Sequence, residues 1–274
     1  VAADYHIHTP YCGHASGKTI EYVERAVSLG LPEIGFSDHL GRYYLTRSQR
    51  KRYWDWGMSE QTLSRYYTEL TDLREAFASR IRVRIGLEVD FIEGAESFLA
   101  PVLALYPFDF LLGSIHCIPA LGWQHLAKIT SADPVDIYQE YFSAARAAAR
   151  SGLFQSIAHL DFIWRYVPWP ETRSDKTIGD IASVVRAAAD SGTCIELNVN
   201  AFIWAASHKT DGPDPFDEML DAVIEHRASV TIGSDAHTPA AVGKQLDDMV
   251  AYVKHRGITR QTVFENAVPS TLQL

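Results

Sequence analysis

Short apolar runs alternate with longer stretches of helical periodicity along the whole chain. The runs at 4–8, 33–37, 82–88, 109–115, 155–159, 194–198 and 229–233 predict strands. The spacing predicts helices near 18–30, 59–79, 95–105, 134–151, 176–191, 214–226 and 239–255. A repeated strand–helix unit implies a mostly parallel sheet. Helix-end signals agree with it. Ser59 is placed to cap the helix that follows it, and Pro134, after Asp133, suits a first helical turn. Gly30, Gly152 and Gly192 stand where helices should stop. Seven units without a linker favour one domain spanning 1–274, and a closed (β/α) barrel over an open sheet.

The 274 residues are 47% hydrophobic and 22% charged, the composition of an ordinary globular protein whose core needs no disulfides. Cys12, Cys117 and Cys194 are odd in number and show no CxxC spacing, which fits a reducing cytoplasm. No apolar stretch is long enough for a membrane span. The first strand pattern starts almost at residue 1, which leaves no room for a signal peptide, and the missing initiator Met implies a chain that starts inside its reading frame. A net charge of −9 and a pI near 5.6 argue against broad nucleic-acid or anionic-membrane binding. A small phosphorylated substrate remains compatible with that charge, because clustered metal ions override it locally. The segment 42–56, RYYLTRSQRKRYWDW, is the one basic and aromatic stretch.

The chemistry lies at the strand ends. His6 and His8 (DYHIHTP), His14 (YCGHA), His39 (GFSDH), Glu88 (IGLEVD), His116 (GSIHC), His159 (SIAHLD), and Asp235 and His237 (IGSDAH) are nine candidate ligands from seven segments. Each falls at or just past the C-terminal end of a predicted strand. A barrel gathers those ends at one mouth, where active sites are built. An open sheet would spread them along its edge. Side chains two apart on a strand share a face, so His6 and His8 point together. Imidazoles mixed with carboxylates favour transition metals over calcium. The pattern predicts a multinuclear metal site and a hydrolase. His125, His208, His226 and His255 lie outside it and are read as ordinary surface or hydrogen-bonded residues.

Taken in order, HxH, SDH, GLE, GSIH, AHLD and GSDAH resemble the polymerase and histidinol phosphatase (PHP) superfamily. TPYCGHASGKTIEYVERAVSLGLPEIGFSDH, YYTELTDLREAFASRIRVRIGLEVDFIEGAE and PFDFLLGSIHCI are most similar to its histidinol-phosphate phosphatases. The resemblance covers nearly the whole chain. It implies a distorted (β/α)7 TIM-like barrel with three divalent transition-metal ions, Zn, Fe or Mn. By that resemblance His6, His8, Glu88 and Asp235 would hold one metal, Glu88 would bridge to a second held by His116 and His159, and His14, His39 and His237 would hold the third.

The implied reaction is hydrolysis of L-histidinol phosphate in histidine biosynthesis, with a metal-bridging hydroxide as nucleophile. Asp235 or His237, or a water near them, would protonate the leaving alkoxide. Arg165 and Arg42 are candidates for phosphate binding, and Asn198 for a place near the substrate or as a cap. Asp161 is expected either to orient a ligating imidazole or to start a helix. The apolar, aromatic stretch VNAFIWAASHKTDGPDP after Asn198 departs from the family's glycine-containing basic one. It and the 42–56 loop are expected in the pocket wall. Tyr43, Trp54, Trp56, Trp123, Trp164 and Trp204 are read as lining an apolar pocket or, more simply, as core and anchors. Other readings stay open: a phosphoesterase for nucleotides or sugar phosphates, a nuclease acting on phosphodiesters, or a metal-binding scaffold without catalysis. The outer helices of such barrels are common dimer faces, so a homodimer is also left open.

Overall fold

The computed structural model describes residues 1–50, 57–118, 121–129, 133–168, 175–208 and 214–274, with the side chains of 49 and 175–179 also left out. Trp54 and Trp56 therefore lie outside the described residues, as does part of the 42–56 loop. The strands are β1 Asp4–Ile7, β2 Glu33–Phe36, β3 Arg82–Asp90, β4 Phe110–Ser114, β5 Cys117–Ile118, β6 Gln124–His125, β7 Ser156–Ile157, β8 Cys194–Asn198, β9 Val230–Gly233, β10 Arg260–Glu265 and β11 Val268–Gln273. The helices are α1 Thr19–Ser28, α2 Arg47–Arg50, α3 Glu60–Phe77, α4 Glu96–Leu103, α5 Pro134–Arg150, α6 Asp175–Ser191, α7 Val199–Ser207, α8 Pro215–Glu225 and α9 Leu246–His255.

Seven strands form one parallel sheet in the order β1-β2-β3-β4-β7-β8-β9. Its two edges meet where His8 N donates to Ala236 O at 2.9 Å and Ala236 N donates to His6 O at 3.2 Å. The result is the nearly closed seven-stranded barrel that the alternating pattern predicts. Helices wrap it, so its strands are buried on both faces and read as apolar runs. In α3 the buried residues Leu63, Tyr66, Leu70, Leu73 and Phe77 recur at helical spacing along one face, and Ser59 Oγ accepts from Thr62 N at 3.2 Å at its start. Asp133 caps α5 in the same way, and Gly30, Gly152 and Gly192 take positive φ after their helices.

Three elements depart from the predicted pattern. The stretch after Asn198 opens with α7, with the Asn198 side chain accepting from Asn200 N at 2.9 Å, while its residues 209–213 lie outside the described residues. The helix expected over 239–255 begins only at Leu246, after a short turn at Pro239–Ala241. The chain ends in the antiparallel hairpin β10–β11, which lies against the N-terminal ends of the barrel strands. There Gln261 Oε1 accepts from Ala3 N at 2.9 Å, and Asn266 N donates to Asp109 Oδ1 at 3.0 Å. Val263 and Phe264 join Tyr5, Phe110, Leu112 and Cys194 in a buried cluster that plugs the base. A cavity of about 440 Å³ lies beside this hairpin, lined by residues such as Arg227, Ile258 and Arg260, far from the predicted ligands.

Candidate metal centre

At the opposite end, all nine predicted ligands come together. Glu88, on β3, is the hub. Its Oε2 lies 3.1 Å from His6 Nε2, 3.2 Å from His8 Nε2 and 3.2 Å from His39 Nδ1. Its Oε1 lies 2.9 Å from His159 Nε2 and 3.3 Å from His116 Nε2. Asp235 Oδ1 lies 3.4 Å from His8 Nε2 and 3.7 Å from His6 Nε2. On the outer side His14 Nε2 and His237 Nε2 stand 2.8 Å apart, and the His237 ring stacks on His8. The two faces of Glu88 thus serve different sets of imidazoles.

The geometry fits cations. With metal–ligand bonds of about 2.1 Å, neighbouring ligand atoms stand about 3.0 Å apart in octahedral and about 3.4 Å apart in tetrahedral coordination. Most separations in the cluster fall near that range, from 2.8 Å for His14 and His237 to 3.4 Å for His8 and Asp235. The compatible groupings include His6–His8–Asp235, His6–Glu88–His159, His39–Glu88–His116 and His8–His39–His237. Two ligand residues sit in the left-handed region without being glycine: Asp235 at φ 54° and His159 at φ 21°. Such conformations cost on the order of 1–3 kcal/mol each and concentrate at functional sites.

Burial works against charge here, and the cluster resolves it by pairing. For Glu88 burial favours the neutral acid, yet His39, His6, His159 and His116 hold its carboxyl well below the usual range. His6 is buried too, but Glu196, Glu88 and Asp235 raise its imidazole to about 10. Burial and nearby His8 bring His237 down to about 4.

Buried residues behind the ligands hold them in place. Glu196, on β8, lies 2.6 Å from His6 Nδ1 through Oε1, while its Oε2 accepts from His159 N at 2.7 Å and Asn198 Nδ2 at 3.2 Å. Asp90 Oδ1 lies 2.7 Å from His116 Nδ1. Asp38 Oδ1 accepts from Thr9 N, Thr9 Oγ1 and Cys12 N, pinning the turn between His8 and His14. None of these three was singled out from the sequence. Glu196 and Asp90 had a legible signal, a carboxylate inside an apolar strand at even spacing from another polar site residue.

The remaining expectations divide. Arg165 reaches the cluster: its Nη2 donates to Asp235 Oδ2 at 3.4 Å, and its guanidinium lies 5.3 Å from the centre of the Phe162 ring. Arg42 does not face the pocket. It is 1% exposed and its Nη2 donates to Asp90 Oδ2 at 2.6 Å, so the acidic partner behind His116 takes the guanidinium that was expected to meet phosphate. Asn198 is likewise fully buried and caps α7. Two residues on, Asn200 Nδ2 donates to Asp235 Oδ2 at 3.2 Å. Asp161 is buried in the turn after His159, its carboxyl raised to about 6 by burial against the pull of Arg165 and His159.

A cavity of about 350 Å³ opens over the cluster, lined by His14, His39, Glu88, His116, His159, Asp235 and His237 together with Arg165, His125, Ala127, Phe162 and Tyr166. His125 is therefore a pocket residue and not a remote one. The turn of β6 that carries it sets its ring 5.8 Å from Phe162 and 5.7 Å from Tyr166. The apolar wall comes from Phe162 and Tyr166. Trp164 is buried in the core against Trp204, and neither they nor Tyr43 and Trp123 line this cavity.

Comparison with known proteins gives a consistent picture. A probable histidinol-phosphatase of Deinococcus radiodurans is 31% identical over 259 residues, covering 93% of both chains. The histidinol-phosphatase of Bacillus subtilis is 26% identical over 88% of this chain and 95% of its own. Among solved structures, histidinol phosphate phosphatase from Lactococcus lactis, complexed with zinc, L-histidinol and phosphate, superposes with a TM-score of 0.77 at 22% identity over 98% of both chains. The model of the PHP domain matches residues 4–200, well over half of the sequence, and the chain belongs to the PHP domain family.

Proposed function

We propose that this protein is a metal-dependent phosphomonoesterase that hydrolyses L-histidinol phosphate to L-histidinol and phosphate, a step of histidine biosynthesis. One observation carries the reading: a cluster of seven imidazoles and two carboxylates opens into a cavity with an arginine on its rim and an aromatic wall beside it. The histidinol-phosphatase activity of the relatives names the substrate.

The donor set suits Zn, Fe or Mn. We assign three ions, the first to His6, His8, Glu88 and Asp235, the second to Glu88, His116 and His159, the third to His14, His39 and His237. Bound divalent cations acidify water and offset the charge that builds on phosphoryl oxygens. Arg165 is placed to meet a phosphoryl oxygen from outside the cluster. We assign protonation of the leaving alkoxide to Asp235 or His237, or to a water near them. A water suits the ionised Asp235 and the lowered His237, and Asn200 holds the outer oxygen of Asp235. Phe162, Tyr166 and His125 present ring faces and edges to a flat, nitrogen-containing substrate ring. The three cysteines are buried thiols, which fits a reducing cytoplasm.

The test is turnover of L-histidinol phosphate against a panel of phosphomonoesters and phosphodiesters, with metals quantified. Strong preference for histidinol phosphate is expected, and activity on diesters alone overturns the reading. Asp235→Ala should lower turnover by on the order of 10²–10⁴-fold, the range for removing a positioned acid–base group. Near wild-type turnover in metal-checked Asp235→Ala protein refutes its role.

A further inference from the structure

We propose that Arg42 is a positioning residue that acts through Asp90 to fix the metal-facing orientation of His116. This rests on the reading of His116 as a metal ligand.

The chain of contacts is continuous and buried. Arg42 Nη2 donates to Asp90 Oδ2 at 2.6 Å, and Asp90 Oδ1 faces His116 Nδ1 at 2.7 Å and His116 N at 3.3 Å. With Asp90 ionised, Nδ1 carries the proton. That leaves the lone pair of Nε2 pointing at Glu88 Oε1, 3.3 Å away. A ligating imidazole needs this tautomer and this ring setting. Each oxygen of Asp90 has its own task, and Arg42 occupies the one that His116 does not use.

The backbone delivers Arg42 to this position. Leu40 N donates to Glu88 O at 3.0 Å, and Gly41 N donates to Met58 O at 2.9 Å. A side chain at Gly41 would overlap the Met58 carbonyl. The segment that carries Arg42 is thus tied to the strand that carries both Glu88 and Asp90. Without the guanidinium, Asp90 Oδ2 would lose the donor that holds it. The carboxylate is then free to turn, which removes the acceptor that holds His116 Nδ1–H.

Zinc titration against a competing chromogenic chelator tests this on wild type, Arg42→Met, Arg42→Lys, Asp90→Asn and His116→Ala, with thermal melts of the metal-free proteins as a fold check. Arg42→Met should weaken one class of zinc sites by roughly 10–100-fold, the same class that His116→Ala loses, and leave the others unchanged. Arg42→Lys should recover most of the loss. Should Arg42→Met fail to fold, Asp90→Asn carries the same expectation. A wild-type isotherm for Arg42→Met, or a loss spread over all classes without recovery in Arg42→Lys, overturns the proposal and leaves an ordinary structural ion pair. No loss of zinc in His116→Ala would instead remove the metal reading on which it stands.

Discussion

Gly233 marks how closely the site is built. A methyl group there would overlap both Glu196 Oε1 and the Cβ of His6. Neither can retreat, because Glu196 is held by His6, His159 and Asn198. Gly233→Ala should therefore cost about 1–3 kcal/mol by overpacking and reduce bound zinc, as read by thermal melts and metal analysis; an unchanged melt and full zinc would show that the strand yields freely. The clustering of the nine candidates was legible because period two and strand ends put them at one end of the barrel. Glu196 and Asp90 carried only the weaker signal of even spacing on their strands and Asp38 carried none, because the partners of all three come from distant segments. Arg42 was misplaced for the same reason. Its position after His39 suggested the mouth, and only the buried Asp90 shows where the guanidinium goes.

Among the elements, the parallel strands and most helices followed from apolar runs and caps. The hairpin β10–β11 did not, since β11 is largely exposed and carries no apolar alternation to read. The helix α7 was hidden in a stretch whose aromatic content suggested a pocket wall, whereas Phe202 packs near Phe216 and Tyr252. Besides the Gln261 and Asn266 bonds, one buried hydroxyl ties the hairpin to the barrel. Tyr5 OH donates to Glu33 Oε2 at 2.8 Å and accepts from Phe264 N at 2.9 Å. Tyr5→Phe leaves a buried N–H without its acceptor and should cost about 1–3 kcal/mol. Denaturant unfolding measures that loss, and zinc content should stay at the wild-type level because the base is remote from the ligands. A loss of zinc would show that base and mouth are coupled.

Over the whole molecule, the charge buried at the mouth sets the response to pH. Glu88, Asp90, Glu196 and Asp235 all lie below the ordinary carboxylate range in the fold, each held down by imidazole or guanidinium neighbours against the opposing effect of burial. Their stabilisation is present above about pH 4 and is lost as pH falls through the lower folded values. His6, despite its burial, is raised from 6.5 to about 10 by Glu196, Glu88 and Asp235, so its contribution is present below 6.5 and lost as pH climbs toward 10. His237, lowered to about 4, and His39, lowered well below its usual value, act the other way and favour the fold as pH rises toward 6.5. Metal-free protein should therefore lose stability below about pH 4 and be most stable near about pH 6.5. Added zinc should move the optimum upward, because metal takes the place of the imidazole protons. Thermal melts across pH with and without zinc measure both, and a metal-free optimum above pH 8 would contradict the assignment.

The barrel closes where His8 and His6 bond to Ala236, next to Asp235. The first and last strands of the barrel, β1 and β9, therefore bring candidate ligands to the same place. His6 and His8 are separated from Asp235 and His237 by more than two hundred residues of chain. No fragment shorter than residues 6–237 contains the complete candidate set, and long-range closure of this kind is the slow part of folding. Full metal loading would thus report closure of the barrel, available only once β1 and the segment after β9 have met.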